Sequence, residues 1–228
     1  MESIIHSITI WGDSILKGVL FNPEKSKYTL LKENCANLAT QKLGLILNNR
    51  SSIGRTIVDG HTTLDKDLKK GVVSDVAIIE FGGNDCDFHW NAISVNPNLP
   101  HMPKTTLDVF EKQLRAMLDA VKEKGITPLL MTLPPLHAQR YFNFVTRGLN
   151  PSAVLSWLGN DIQMIYRWHE RYSNAIARVA AETSVHIVDI RDAFLSYWNY
   201  GDLLCADGIH PNEKGHQIMA DSIYCLCR

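Results

Sequence analysis

No segment of this 228-residue chain approaches the roughly 20 consecutive apolar residues that a membrane-spanning helix requires. Met1 to His6 likewise lack the cationic stretch, apolar segment and small-residue cleavage site of a secretory signal, so the expected location is cytoplasmic; a secreted chain trimmed of its signal would read the same way. Charge of one sign is missing too: Lys and Arg number 23 against 24 Asp and Glu, a formal net charge of -1 with the signs interspersed. Without a basic stripe or an acidic tail, nucleic acid and membrane are not expected partners, and a small or neutral substrate is favoured; the oligomeric state stays open. Cysteine is sparse. Cys35, Cys86, Cys205, Cys225 and Cys227 are an odd set without disulfide-framework spacing. They are expected as small buried hydrophobes in a reducing compartment. The nine histidines include no His-Glu-x-x-His, and no Asp-rich cluster stands near them, so neither a metal nor any other cofactor is expected.

What the sequence does contain is an alternation of short apolar runs with amphipathic stretches, the pattern of a parallel sheet covered by helices on both faces. Strands are predicted over Ile4 to Trp11, Leu45 to Asn48, Asp75 to Phe81, Thr127 to Leu133 and Val185 to Val188. Helices are predicted over Leu30 to Leu43, Thr62 to Lys70, Thr106 to Lys124, Asp161 to Glu182 and Glu213 to Cys225. The third helix shows the signal well, with Leu107, Phe110, Leu114, Met117, Leu118 and Val121 at helical spacing. The expected fold class is α/β: a three-layer α/β/α sandwich around a five-stranded parallel sheet, with residues 1–228 forming one domain. In such a sheet ligands bind beyond the carboxyl ends of the strands.

Three polar motifs fall at those ends or beyond the last predicted strand. Gly12-Asp13-Ser14 closes the first strand, Gly82-Gly83-Asn84-Asp85 the third, and Asp207-Gly208-Ile209-His210 precedes the C-terminal helix. Taken singly, each is ordinary turn chemistry. Together they supply the parts of an acyl-transfer catalyst. A serine hydroxyl needs an imidazole to take its proton, and the imidazole needs a carboxylate to fix its tautomer. Ser14, His210 and Asp207 fill those roles. Asn84 can aim its amide at a developing oxyanion, and Gly54, after the second strand, can offer a backbone N–H to the same oxygen. No Gly-x-Ser-x-Gly elbow is present, which argues against the α/β-hydrolase arrangement.

In this order, the blocks Gly-Asp-Ser, a mid-chain Gly, Gly-x-Asn-Asp and Asp-x-x-His resemble the four blocks of the SGNH hydrolases, the superfamily that includes the GDSL esterases and lipases. The likeness runs from Gly12 to His210. It implies a flavodoxin-like SGNH hydrolase fold, Ser14 as nucleophile, His210 as base and Asp207 as the orienting acid. It also implies an oxyanion hole built from the Ser14 amide, the Gly54 amide and the Asn84 side chain, with Gly60 close behind Gly54. Ile15 stands where the GDSL name has leucine, a volume-conserving exchange.

Two segments exceed what a connection needs: Cys86 to Lys104 and Pro134 to Asn160. Long loops in a compact domain tend to form binding walls. Asp13, Phe88, His89, Trp90, His137 and Arg140 are the expected substrate contacts. An aromatic and His-rich rim with nearby arginines suits a sugar, so the expected reaction is hydrolysis of small acyl esters, acetyl above all, on carbohydrates. The alternatives are an aryl esterase, a lysophospholipase or a thioesterase, and a non-catalytic carbohydrate-binding member ranks behind these.

Overall fold

A computed structural model describes residues 5–227. Ile4, where the first predicted strand begins, and the rest of the amino-terminal Met1 to Ile4 lie outside the described residues. The chain opens with β1 (Ser7–Gly12) and the short helix α1 (Ser14–Lys17), then an antiparallel hairpin, β2 (Val19–Asn22) and β3 (Lys27–Leu30). Next come α2 (Cys35–Leu43), β4 (Ile46–Asn49), α3 (Ile57–Lys69) and β5 (Val76–Glu80). After α4 (Trp90–Val95) and α5 (Leu107–Glu123) follow β6 (Thr127–Met131), α6 (Ala138–Val145), α7 (Pro151–Trp157) and α8 (Gln163–Thr183). The last elements are β7 (His186–Val188), α9 (Ile190–Leu195), a 3-10 turn over Tyr200–Leu203, and α10 (Glu213–Cys227).

Five strands form one sheet in the order β4-β1-β5-β6-β7, every neighbouring pair parallel. A strand covered on both faces reads as a continuous apolar run, and β5 is buried at every position. On one face Trp11, Ala77, Ile79 and Leu130 pack against Leu64 of α3, Phe110, Leu114 and Met117 of α5, and Tyr172 and Ile176 of α8. On the other, Ile8, Ile10, Val76, Ile78 and Met131 meet Ala36 and Ala39 of α2, Phe194 of α9, and Met219 and Ile223 of α10. The three-layer expectation holds.

The chain passes from β1 outward to β4 and then back across to β5 on β1's other side, so the loops after β1 and β5 diverge. The resulting crevice is where open α/β sheets bind ligands. Among the described residues no helix is long and apolar enough to cross a membrane, and no group of three or more His, Cys, Asp or Glu side chains could hold a metal ion.

Two boundaries differ from expectation for local reasons. The helix expected from Leu30 starts at Cys35, because Lys27 to Leu30 pair with Val19 to Asn22 as the hairpin and Asn34 caps the helix through Asn37 N at 3.2 Å. The helix expected from Thr62 starts at Ile57. A capping box between Thr56 and Asp59 satisfies its first turn, and Asp85 accepts from Ile57 N at 2.9 Å.

Candidate active site

The end of β1 runs directly into α1, so Ser14 leaves the sheet at the first helical position with its side chain buried in the crevice. Asp13 caps that helix: its Oδ1 accepts from Ile15 N at 2.8 Å. From the other end of the chain, His210 brings Nε2 to 3.0 Å from Ser14 Oγ. Nδ1 of the same ring lies 2.6 Å from Asp207 Oδ2, and Asp207 Oδ1 accepts from the backbone N–H groups of Ile209 and His210, each at 3.2 Å. A carboxylate that accepts only from its own turn and from one imidazole has a single orientation available. Asp207 and His210 are 0% and 5% exposed, so water does not compete for either contact.

That turn is also held from outside. His137 N donates to the Gly208 carbonyl at 2.7 Å. Gly208 has φ of +81°, and a Cβ there would lie 2.7 Å from Arg140 Cβ and 2.8 Å from Tyr141 N. Only glycine fits. Tyr28, from β3, sets its ring edge-on to His210 at a centroid distance of 5.3 Å, walling the imidazole on its open side.

Asn84 donates through Nδ2 to Asp13 Oδ2 at 2.9 Å. An amide nitrogen carries two hydrogens. Asp13 takes one and so orients the other, while its second oxygen holds the serine's helix. Beneath this link lies Glu80, the last residue of β5, with no exposed surface. Its Oε2 accepts weakly from Asp13 N at 3.4 Å, and its Oε1 has no partner. Burial pushes both carboxyls up, Glu80 further because the Asp13 charge lies beside it. Asp13 receives two N–H donors against one weak contact for Glu80, so the neutral form is favoured more strongly at Glu80. Gly54 sits at the mouth of the crevice with φ of +74° and open space where a Cβ would stand. Gly60 is placed elsewhere: it lies inside α3 against the ring of Phe81.

A cavity of about 530 Å³ opens from Ser14 and His210. Asp13, Phe88 and Trp90 line it, whereas His89, His137 and Arg140 do not. His89 faces solvent at the start of α4. His137 and Arg140 instead hold the C-terminal loop. Arg140 Nη1 donates to the Gly201 carbonyl at 2.6 Å, and the His137 ring accepts from Arg140 N at 3.4 Å. The other walls are mostly apolar: Leu136, Tyr141, Phe144, Trp157 and Leu158 from the long segment Pro134 to Asn160, and Ile165 from α8. They pack as a third cluster, separate from the two sheet faces. Asp87 ties this cap together, accepting from Trp90 Nε1 and Tyr141 Oη at 2.7 Å each and from Lys104 Nζ at 2.8 Å. Its position directly after the Gly-Gly-Asn-Asp-Cys stretch is the one signal in the sequence that marks it.

Residues 10–218 match the pattern of the GDSL-like lipase/acylhydrolase family. The chain belongs to that family. It is a carboxylic ester hydrolase. A GDSL esterase/lipase of rice, Oryza sativa subsp. japonica, is 24% identical over 193 residues, which cover 82% of this chain and 66% of the rice protein. Among solved structures, a lipase/acylhydrolase from Enterococcus faecalis superposes with a TM-score of 0.68 at 19% identity, covering 97% of this chain and 95% of that one. An acetylxylan esterase from Geobacillus stearothermophilus superposes with a TM-score of 0.65 at 22% identity, covering 97% and 93%. At such identities these structures share the fold. Within this GDSL-family chain, Glu80, Asp87 and Tyr28 are the parts that motif reading does not reach.

Proposed function

We propose that the chain is a serine esterase working through an acyl-enzyme, with Ser14 as nucleophile, His210 as general base and acid, and Asp207 as the group that holds the imidazole. What carries this reading is the unbroken relay of short contacts, 2.6 Å from Asp207 to His210 and 3.0 Å from His210 to Ser14. As Ser14 Oγ adds to the ester carbonyl carbon, its proton passes to His210 Nε2. The carbonyl oxygen becomes an oxyanion, for which the free Asn84 amide hydrogen and the Gly54 and Ser14 N–H groups are the donors. The intermediate collapses by expelling the alcohol, which takes the proton from His210. Water then attacks the acyl-enzyme with His210 again as base, and Ser14 is released.

The substrate that fits the cavity best is an ester with an apolar acyl or aryl group larger than acetyl. Pockets of roughly 300–1,000 Å³ enclose whole small molecules, and this one offers few free polar atoms for sugar hydroxyls. Asp13, Asn84 and Asp87 are already engaged with protein partners. A second reading, deacetylation of carbohydrate, is favoured by the fold shared with acetylxylan esterases. Hydrolysis of p-nitrophenyl esters of rising acyl length, alongside acetate release from acetylated xylooligosaccharides, separates the two. A kcat/KM that climbs with chain length supports the apolar reading, and one that peaks at acetate and extends to the oligosaccharide reverses it. Absence of any difference between wild type and Ser14→Ala overturns both.

A further inference from the structure

A buried cation without a carboxylate partner lies beside the cavity. Arg191, the second residue of α9, is 7% exposed, and its Nε and Nη2 hydrogens have no acceptor among the described residues. Its guanidinium is held loosely. Nη1 donates to the Leu133 carbonyl at 3.5 Å and to His169 Nδ1 at 3.4 Å, and the Tyr166 ring lies 4.9 Å from Cζ. An arginine has N–H donors and no acceptor. His169 Nδ1 is therefore the acceptor in that contact and carries no proton, which fixes the imidazole as the tautomer with its hydrogen on Nε2.

Burial, reinforced by the guanidinium, pushes the His169 pKa down to about 3, so the ring is neutral at working pH. His169 is itself 7% exposed and lines the cavity that holds Ser14. Its one hydrogen bond within the described residues is the Nδ1 contact. That leaves Nε2–H without a protein acceptor among the described residues and not fully buried, in a cavity whose walls include Met164, Ile165, Trp168 and Leu136. A donor that lines a cavity and has no protein acceptor is paired there by water or ligand. The cation behind Nδ1 polarises the ring and strengthens Nε2–H as a donor.

Resting on the serine-esterase reading, we propose that His169 is a specificity-determining residue: the cavity accepts an acyl or aryl group bearing a neutral acceptor oxygen, such as a ketone or ether, which Nε2–H binds. The sheet sets its distance from the scissile bond. Ser14 follows β1, Leu133 follows β6 and Arg191 follows β7, so the acceptor lies two to three strand spacings from the nucleophile, roughly 10–14 Å. A free carboxylate is disfavoured, because it would shed its water in an apolar channel whose nearest cation stands behind the imidazole.

The test pairs p-nitrophenyl alkanoates with keto-alkanoates of equal length, the ketone moved outward along the chain. Wild type should favour one ketone position over its alkanoate partner by roughly three- to tenfold in kcat/KM, the worth of one hydrogen bond. In His169→Phe that ratio should fall to about one, and His169→Gln, which keeps an N–H donor, should regain part of it. A wild-type ratio at or below one for every ketone position overturns the proposal even with Ser14-dependent turnover intact. Loss of Ser14 dependence in the wild type overturns the esterase reading instead. A second measurement needs no variant at 169. In Ser14→Ala, which holds ester without cleaving it, the His169 Nε2–H proton resonance should move with the favoured keto ester and stay in place with its alkanoate. No movement with either counts against the proposal.

Discussion

The sheet edge around Ser14 and the cap over it are built by opposite means. At the edge, Asp13 with Asn84 and Asp207 with His210 are fixed pairwise through charge-assisted hydrogen bonds in buried and half-buried positions. In the cap, Phe88, Trp90, Tyr141 and Trp157 fix one another by edge-to-face packing, and the charged group among them, Asp87, serves to hold ring positions. Hydrogen bonds are directional, so the edge sets where a reacting atom must be. Aromatic packing is tolerant of substitution, so the cap sets what else the molecule can carry. Rate and specificity are thereby assigned to different physics.

Breaking the edge should cost most. Ser14→Ala is expected to lower kcat by roughly four to six orders of magnitude with an unchanged thermal transition, read by turnover and calorimetry together. Asn84→Ala should lower kcat by roughly two to three orders, with KM little altered, if its amide is a main oxyanion donor. A loss below tenfold assigns that oxygen to other donors. Glu80 sharpens the point. Since burial and the neighbouring Asp13 charge favour its neutral form, the neutral isostere Glu80→Gln should keep turnover within about tenfold, whereas Glu80→Lys would set an unpaired charge in the interior and should prevent folding.

Breaking the cap should look different. Asp87→Ala frees Trp90 and Tyr141 and should raise KM for long acyl esters by about tenfold, leaving acetyl esters nearly unaffected; steady-state kinetics on a chain-length series would show it. An equal loss on both substrates would mean that the cap also orders the edge.

The smallest effect concerns pH. Burial raises the Asp85 pKa from 3.8 to about 6, so between those values the folded chain holds more protons than the unfolded one. Its contribution to stability is thus full below about pH 4 and is lost as pH rises through 6. Asp85→Asn should flatten that slope, a change of a few degrees in Tm between pH 4 and 7.

The same division governs what is legible in the amino-acid sequence alone. The central strands are legible because strands covered on both faces read as apolar runs, as Val76 to Ile79 do, and the expected ends of all five fall within a few residues of those observed. Ser14 and Asn84 stand out in the sequence as polar motifs just past predicted strands, and Asp207 and His210 as a motif before the C-terminal helix. The hairpin from Val19 to Leu30 is not. Its second strand is exposed throughout and carries no buried face to impose a period. Nor are α4, α6 and α7, each of eight residues or fewer and embedded in loop-like sequence. His137 and Arg140 look like ligand contacts by type, but partners more than sixty residues away claim them. The Asp13 to Asn84 bond, spanning 71 residues, leaves no trace in either motif.

Gly208 is the point where these two regions meet, backbone against backbone. Because the first turn of α6 rests on the loop that carries His210 with no side chain between them, the cap cannot be shifted or exchanged there without displacing that imidazole. The substrate range of this enzyme can therefore drift freely through the side chains that face the cavity, Leu136, Phe144 and Trp157 for instance. A graft that replaces α6 as a whole would carry its penalty into the rate of every substrate alike. For anyone redesigning this esterase, the seam at Gly208 marks where the exchangeable part of the molecule ends.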